Sequence, residues 1–369
     1  MSSIAITVDY SAIRRNVEAL CEQAAGAAVM AVVKADAYGH GLVEAGAAAR
    51  AGGATWLGVA QPREALALRT AGDTGRILTW LYGPEVHAGL LIAHDIDLSV
   101  NSRAVLEAVV AGAEDRLATA RVHLCIDTGL GREGVTVAEF PALLDQAIEA
   151  QRAGHITIVG IWSHLAWADN PGHPTIDAQA AVFRQALWQA QERGVEVEVR
   201  HLANSAATLT RRDLHFDLVR PGIAVYGLPP VPDPQGHRFG LTPAMSVTSH
   251  VALVKEVGAG QGVSYGHEYV TPYSTTLALV PAGYADGVFR AAGGVAEVAI
   301  NGRRYRIAGR VCMDQFVVDL GLSSEVSEGD VVTLIGPGGP TAADWARAVG
   351  TIDYEIVCHF GQSRHQVGA

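Results

Sequence analysis

Val32-Val33-Lys34-Ala35-Asp36-Ala37-Tyr38-Gly39-His40-Gly41 begins inside an apolar run and breaks into polar and small residues. A buried strand that ends in side chains fit for chemistry is what an α/β barrel shows at its active face. The same pattern recurs along the chain. Strand candidates fall at roughly 29–33, 56–60, 76–81, 96–100, 121–126, 156–163, 197–202 and 218–226. Most are short apolar runs without alternation, as expected when both faces are covered. Helix-like segments separate them. Ser11 to Ala25, for example, carries Ile13, Val17 and Leu20 on one face, with Asp9 or Ser11 as a cap. Eight strand–helix units predict an α/β fold: an N-terminal (β/α)8 TIM-like barrel with its site at the C-terminal ends of the strands.

The rhythm stops after Gly227. Leu228-Pro229-Pro230-Val231-Pro232-Asp233-Pro234 has the composition of a linker, since a proline run resists both helix and sheet. Beyond it the chain reads as mostly β, at 244–257, 275–280, 295–300, 303–320 and 330–335. A short helix is expected near 341–349, capped by Thr341. The expected division is therefore a barrel over residues 1–230 and a smaller, mostly β domain over 231–369.

Composition narrows the function. The 369 residues are 49% hydrophobic and 18% charged, which is globular. A net charge of -11, without a Lys/Arg-rich run, argues against nucleic acid as a partner. No apolar run of membrane-spanning length and no signal-peptide pattern occurs after Met1, so a cytoplasmic protein is expected. Cys21, Cys125, Cys312 and Cys358 are widely spaced and read as reduced thiols.

Two short patterns are decoys. Gly129-Leu130-Gly131-Arg132-Glu133-Gly134 fits the glycine motif of an NAD-dependent dehydrogenase. The acidic residue that should come after the next strand is missing, because that strand ends in Ser163-His164. Asp127-Thr128-Gly129 mimics an aspartic-protease triplet, but acid proteases need two such aspartates and only one copy exists. The remaining strand-end residues converge: Lys34, Tyr38, Arg132, His164, Asn204, Ser205, Arg220, Gly222 and Ile223. Ser205 and the backbone around Gly222 suit a phosphate, which barrels often hold after their seventh and eighth strands. A lysine at the first strand end suits an aldehyde cofactor.

With these residues in place, the chain resembles the alanine racemases. The resemblance runs in order through Val33–Gly41, Asp127–Arg132, Ser163–Ala166, Ala203–Ala206 and Arg220–Gly227. It continues through Val263–Gly266, Gly283–Gly287, Arg310–Asp314 and Thr351–Glu355. It implies pyridoxal 5'-phosphate carried by Lys34, and interconversion of L- and D-alanine to supply D-alanine for the cell wall. It also implies a homodimer with shared sites. Lys34 and Tyr265 from the other subunit would be the two bases, and His164 and Arg220 would tune that tyrosine. Arg220 would face the pyridine nitrogen. Tyr38, Tyr354, Ser205, Gly222 and Ile223 would hold the phosphate, with Asn204 beside them. Arg132 would bind the cofactor phenolic oxygen and the substrate carboxylate, the partner's Met313 would also bind that carboxylate, and Tyr284 and Tyr354 would narrow the access corridor. A racemase of serine or of broader specificity is the alternative on the same fold.

The chain departs from the family at one place. Many members carry, seven residues before the strand-5 arginine, a lysine that becomes a carbamate and anchors that arginine. Cys125 stands there here. Either a small anion such as chloride beside Arg132, or a packing cysteine with Arg132 held elsewhere, is expected instead.

Overall fold

The computed structural model describes residues 4–232 and 239–363, so Asp233 and Pro234 of the expected linker lie outside the described residues. The chain resolves into two compact units. One holds Tyr10–Ala37 and Leu42–Thr242; the other holds the segment ending at Asp9, Tyr38–Gly41 and the segment from Pro243 onward.

The first unit is the barrel. Its parallel strands are Ala28–Val32, Trp56–Val59, Arg76–Thr79, Asp97–Val100, Ala120–Cys125, Ile156–Trp162, Val199–His201 and Leu218–Val219. Each pairs with its successor up to Val199–His201, and Leu218–Val219 pairs with Ala28–Val32. The seam between Val199–His201 and Leu218–Val219 is held by single contacts instead of a ladder. Asp217 N–H donates to Arg200 O (3.1 Å) and Arg220 N–H to Ala203 O (2.8 Å), with a parallel bridge between Asn204 and Arg220. The eighth strand is shorter than the 218–226 expected. Pro221 has no N–H for a ladder, and the chain turns at Gly222 into a 3-10 segment, Ile223–Tyr226.

Inside the barrel Met30, Trp56, Leu78, Val159, Val199 and Leu218 pack as one cluster. Outside it, amphipathic helices cover the strands. Tyr10–Ala24 buries Ala12, Ile13, Val17 and Leu20 at the spacing of one helical face and stops where Ala25 turns to φ 53°. Arg103–Arg116 is capped by Ser102, whose hydroxyl accepts from Val105 N–H at 3.3 Å.

The second unit is mainly antiparallel. Ala5–Val8, Met245–His250, Val331–Ile335, Glu297–Ile300 and Arg303–Arg306 form one sheet in that order. Leu253–Val257, Thr275–Val280 and Phe316–Gly321 form another. The N-terminal strand thus pairs with Met245–His250, which a simple break at 230/231 does not anticipate. The run 244–257 splits into two strands in different sheets, and 303–320 is interrupted by the loop that carries Arg310 to Asp314. Thr341 caps Ala342–Val349 with reciprocal bonds to Asp344, both 3.0 Å. The helix Asp353–Ser363 was not foreseen in the sequence.

One glycine decides the barrel interior. A Cβ at Gly160 would lie 2.4 Å from His123 Nδ1, so only glycine lets the imidazole cross beneath that strand. Gly160→Ala is expected to destabilise the protein by about 1–3 kcal/mol through overpacking, read as a lower urea midpoint at unchanged slope.

Candidate active site

The site begins with a strained turn. After the first barrel strand, Ala35, Asp36, Ala37 and Tyr38 all have φ between 52° and 56°. Left-handed backbone costs L-residues roughly 1–2 kcal/mol each, so this turn persists only because other bonds hold it. Ala37 N–H donates to Val33 O (2.9 Å), Ala35 N–H to Glu64 Oε1 (2.7 Å) and Leu42 N–H to Asp36 Oδ1 (2.8 Å). Lys34 heads this turn at the strand end, half-buried.

Arg220, just past the eighth barrel strand, is 5% exposed. Its Nη2 donates to Ser163 O at 2.7 Å and to His164 Nδ1 at 3.3 Å. Its Nη1 donates to His201 Nδ1 at 3.2 Å, and the guanidinium lies 4.9 Å from the Trp162 ring centre. Burial lowers the Arg220 pKa to about 10, and the group remains cationic at neutral pH. Burial also pushes the pKa values of His164 and His201 well below the ordinary histidine value, with the Arg220 charge adding to the shift. Both histidines are therefore neutral.

Neutrality fixes the direction of every bond. Because His201 Nδ1 accepts from Arg220, its proton sits on Nε2 and is donated to His123 Nδ1 at 2.8 Å. His123 then donates from Nε2 to Asp97 Oδ2 at 3.2 Å. Asp97 is fully buried and also accepts from Arg121 Nε at 2.7 Å and Arg76 Nη2 at 2.5 Å. Burial alone would raise its pKa, but the bonds from His123 and Arg76 outweigh that and lower it. A chain of oriented hydrogen bonds thus runs through the barrel from Arg220 to Asp97. By the same logic His164 accepts at Nδ1 and carries its proton on Nε2.

Asp127 is a loop organiser. Its Oδ1 accepts from the N–H groups of Gly129 (2.9 Å), Leu130 (2.9 Å) and Gly131 (3.1 Å). The N–H groups that a pyrophosphate would need are consumed within the loop, which removes the nicotinamide reading of Gly129–Gly134. Arg132 at the loop tip pairs with Glu133 through its Nε and Nη2 edge, the Nη2–Oε1 distance being 2.8 Å. Arg132 is thus held by a carboxylate of its own loop, the second of the two arrangements expected where Cys125 replaces the family lysine. Burial raises the pKa of the Cys125 thiol well above its ordinary value, and Glu133 adds to the shift, so Cys125 is neutral packing.

Ser205 Oγ accepts from the N–H groups of Gly222 (2.7 Å) and Ala224 (3.4 Å), which joins the two loops read as a phosphate cradle. Asn204 Oδ1 caps Ser205–Thr210 by accepting from Ala207 N–H at 3.2 Å. Ile223 is buried at the start of the 3-10 turn.

In the second unit, three exposed side chains stand on loops stitched together. Tyr265, Met313 and Tyr284 are 70%, 54% and 42% exposed. Ser264 Oγ donates to Arg310 O at 2.6 Å, Tyr284 N–H donates to Cys312 O at 3.1 Å, and Ala285 N–H donates to Met313 O at 2.9 Å. Gly283 permits the last approach, since a Cβ there would lie 2.1 Å from Met313 O. Tyr38 and Tyr354 also belong to this unit, their rings 6.1 Å apart and tilted. Burial raises the Tyr38 pKa, with Tyr354 and Cys358 adding to the shift, so its hydroxyl stays protonated.

Comparison with known proteins now decides the family. A family model described as alanine racemase, N-terminal domain, matches residues 8–230, and one described as alanine racemase, C-terminal domain, matches residues 244–367. The chain belongs to the alanine racemase family. It is 54% identical to the alanine racemase of Frankia casuarinae, covering 96% of this chain and 93% of that protein. The solved alanine racemase of Streptomyces coelicolor A3(2) matches with a TM-score of 0.95 at 49% identity, covering 98% and 96% of the two chains. That from Streptomyces lavendulae matches with a TM-score of 0.93 at 50% identity, covering 97% and 94%.

Sequence reasoning found the loop residues of this alanine racemase family member but missed Asp97, His123, His201 and Gln179. Gln179, buried on a barrel helix, donates to His164 O at 2.9 Å and Thr128 Oγ1 at 3.2 Å, which ties two site loops together. Polar residues inside apolar strands, such as His123, were the available signal.

The depressed pKa values set a pH dependence. A histidine held neutral in the fold gains protons on unfolding below its ordinary pKa, so its contribution to stability is present above that value and lost on acidification. Unfolding free energy measured from pH 8 to 5 should fall, and His201→Gln should reduce the slope by about one proton. Asp97→Ala, which leaves the buried His123 Nε2–H without its acceptor while Arg76 and Arg121 keep Glu198 and Asp95, should cost about 1–3 kcal/mol at neutral pH.

Proposed function

We propose that this enzyme interconverts L- and D-alanine on pyridoxal phosphate, using Lys34 and Tyr265 of the partner subunit as its two bases. The observation that carries the reading is a neutral His164 held by a buried cationic Arg220. The residues fit the cofactor chemically. His164 lies in the field of Arg220, Arg132 and Lys34, which suits an amine for an aldehyde cofactor beside cations for an anionic amino-acid substrate.

In this reading Lys34 would hold the cofactor, and its amine would act as the base on one face of the substrate Cα. Ser205, Gly222, Ile223, Tyr38 and Tyr354 would hold the phosphate, with Asn204 capping the helix that begins at Ser205. Bound there, pyridoxal phosphate supplies the electron sink for the Cα carbanion. Arg220 would face the pyridine nitrogen and, keeping its own proton, would leave that nitrogen unprotonated and so limit side reactions. His164 presents Nε2–H, the edge that would meet the phenol oxygen of the partner's Tyr265 and favour its ionised form. Arg132 and the partner's Met313 bind the substrate carboxylate, and Tyr284 keeps the access narrow enough to favour a methyl side chain.

The exposure of Tyr265, Met313 and Tyr284 supports a homodimer that shares its sites. The reading places the enzyme in the cytoplasm, supplying D-alanine for the cell wall. Its four cysteines form no disulfide, and no helix is long and apolar enough to cross a membrane, among the described residues.

Incubation of the loaded enzyme with L-alanine in D2O should yield Cα-deuterated D-alanine, and Lys34→Ala should abolish both exchange and the cofactor absorbance band. Exchange with serine but not alanine would move the reading to another amino acid. For the shared sites, two inactive variants, Lys34→Ala and Tyr265→Ala, are mixed under subunit exchange. Recovery of about a quarter of the wild-type rate is expected, since half the dimers then carry one intact site. No recovery despite formation of mixed dimers argues that each site is built from one chain.

A further inference from the structure

Arg132 is 58% exposed by side chain, on a loop tip, with a long flexible stem. An arginine so placed must lose about 2 kcal/mol of rotamer freedom to bind anything in one orientation. Here it is already held. Glu133 engages the Nε–H and one Nη2–H with its two oxygens, and its own side chain is only 17% exposed. Side-on pairing occupies one edge of the guanidinium and leaves the Nη1/Nη2 edge for a second carboxylate.

We infer that Glu133 is the positioning carboxylate that orients Arg132 for the substrate carboxylate, a charge carried by the chain itself. The inference rests on the reading of Arg132 as the substrate-binding arginine. Three further observations support it. No other carboxylate pairs with Arg132 among the described residues. The nearby Asp127 has both oxygens engaged by loop N–H groups, and Cys125 beneath the loop is an uncharged thiol. The loop geometry brings neighbouring side chains to the same side. Gly131 and Gly134 have φ of 72° and 103°, a Cβ at Gly134 would lie 2.5 Å from Asp127 N, and the loop base is closed by Asp127 N–H to Val135 O at 2.9 Å. Neighbours in a regular strand would point apart. The pair also favours the ionised carboxylate. Burial alone would raise the Glu133 pKa, but the bond from Arg132 outweighs it and lowers it below the ordinary carboxylate value.

The test uses E133Q and E133D. In the loaded enzyme E133Q should raise KM for L-alanine roughly tenfold, the size of one charge-assisted hydrogen bond, with a smaller change in kcat. E133D, which keeps the charge, should fall between E133Q and wild type. In cofactor-free protein, the Arg132 Nε–H resonance should be protected from exchange in the wild type and lose protection in E133Q. An unchanged or lower KM in E133Q, or an Arg132 resonance indifferent to the substitution, overturns the inference. Failure of the wild type to racemise alanine would instead defeat the functional reading, because the resonance of the cofactor-free protein reports the pair regardless of substrate.

Discussion

A guanidinium buried in a barrel must find acceptors for its N–H groups, and the rest of this site depends on how Arg220 finds them. No carboxylate pairs with it among the described residues. It donates instead to Ser163 O, Leu202 O and two imidazole nitrogens. That arrangement requires both histidines to be neutral, because a protonated imidazole carries N–H on both nitrogens and would repel the arginine. The requirement then propagates. Neutral His201 must donate to His123, His123 must donate onward, and Asp97 ends the series as a buried carboxylate shared by two arginines. Fixed tautomers are what allow a histidine at the strand end to offer a proton in one direction only.

The same placement of charge shapes the Arg132 loop. Asp127 commits its oxygens to the backbone, so the loop is rigid before any ligand arrives. Glu133 then supplies the only negative charge paired with Arg132 among the described residues. A lone buried thiol at position 125 fits this division of labour, because an ionised group there would compete for the same arginine. The left-handed turn after Lys34 is a third rigid element. Four L-residues at positive φ are tolerated because Glu64, Asp36 and Val33 hold their N–H groups or those of the flanking chain.

In the second unit the relevant residues are exposed rather than buried, yet they are not loosely placed. Ser264 sits at φ 62° and Gly266 at φ 73° around Tyr265, and Gly283 and Gly309 allow backbone contacts that a Cβ would block. A surface tyrosine on a strained, cross-linked turn is held in place by its backbone rather than by packing of its ring.

Much of this was legible in the chain alone. The alternation of apolar runs with amphipathic segments determined the barrel, since burial on both faces of a strand and on one face of a helix leaves a periodic mark. Lys34, Arg132, His164, Ser205 and Arg220 were readable as candidates because they follow strands, and strand ends are where an α/β barrel keeps its chemistry. Asp233 and Pro234 of the linker fall outside the described residues, and the end of the eighth strand was misjudged because Val225 and Tyr226 look the same in a strand and in a buried 3-10 turn. What only the tertiary structure decided were pairings between residues far apart in sequence: Asp97 with His123 and His201, Gln179 with two loops, and the N-terminal strand with Met245–His250. Periodicity records which side of an element is buried. The partner of a buried polar group depends on where another element places its donor, and no local pattern encodes that.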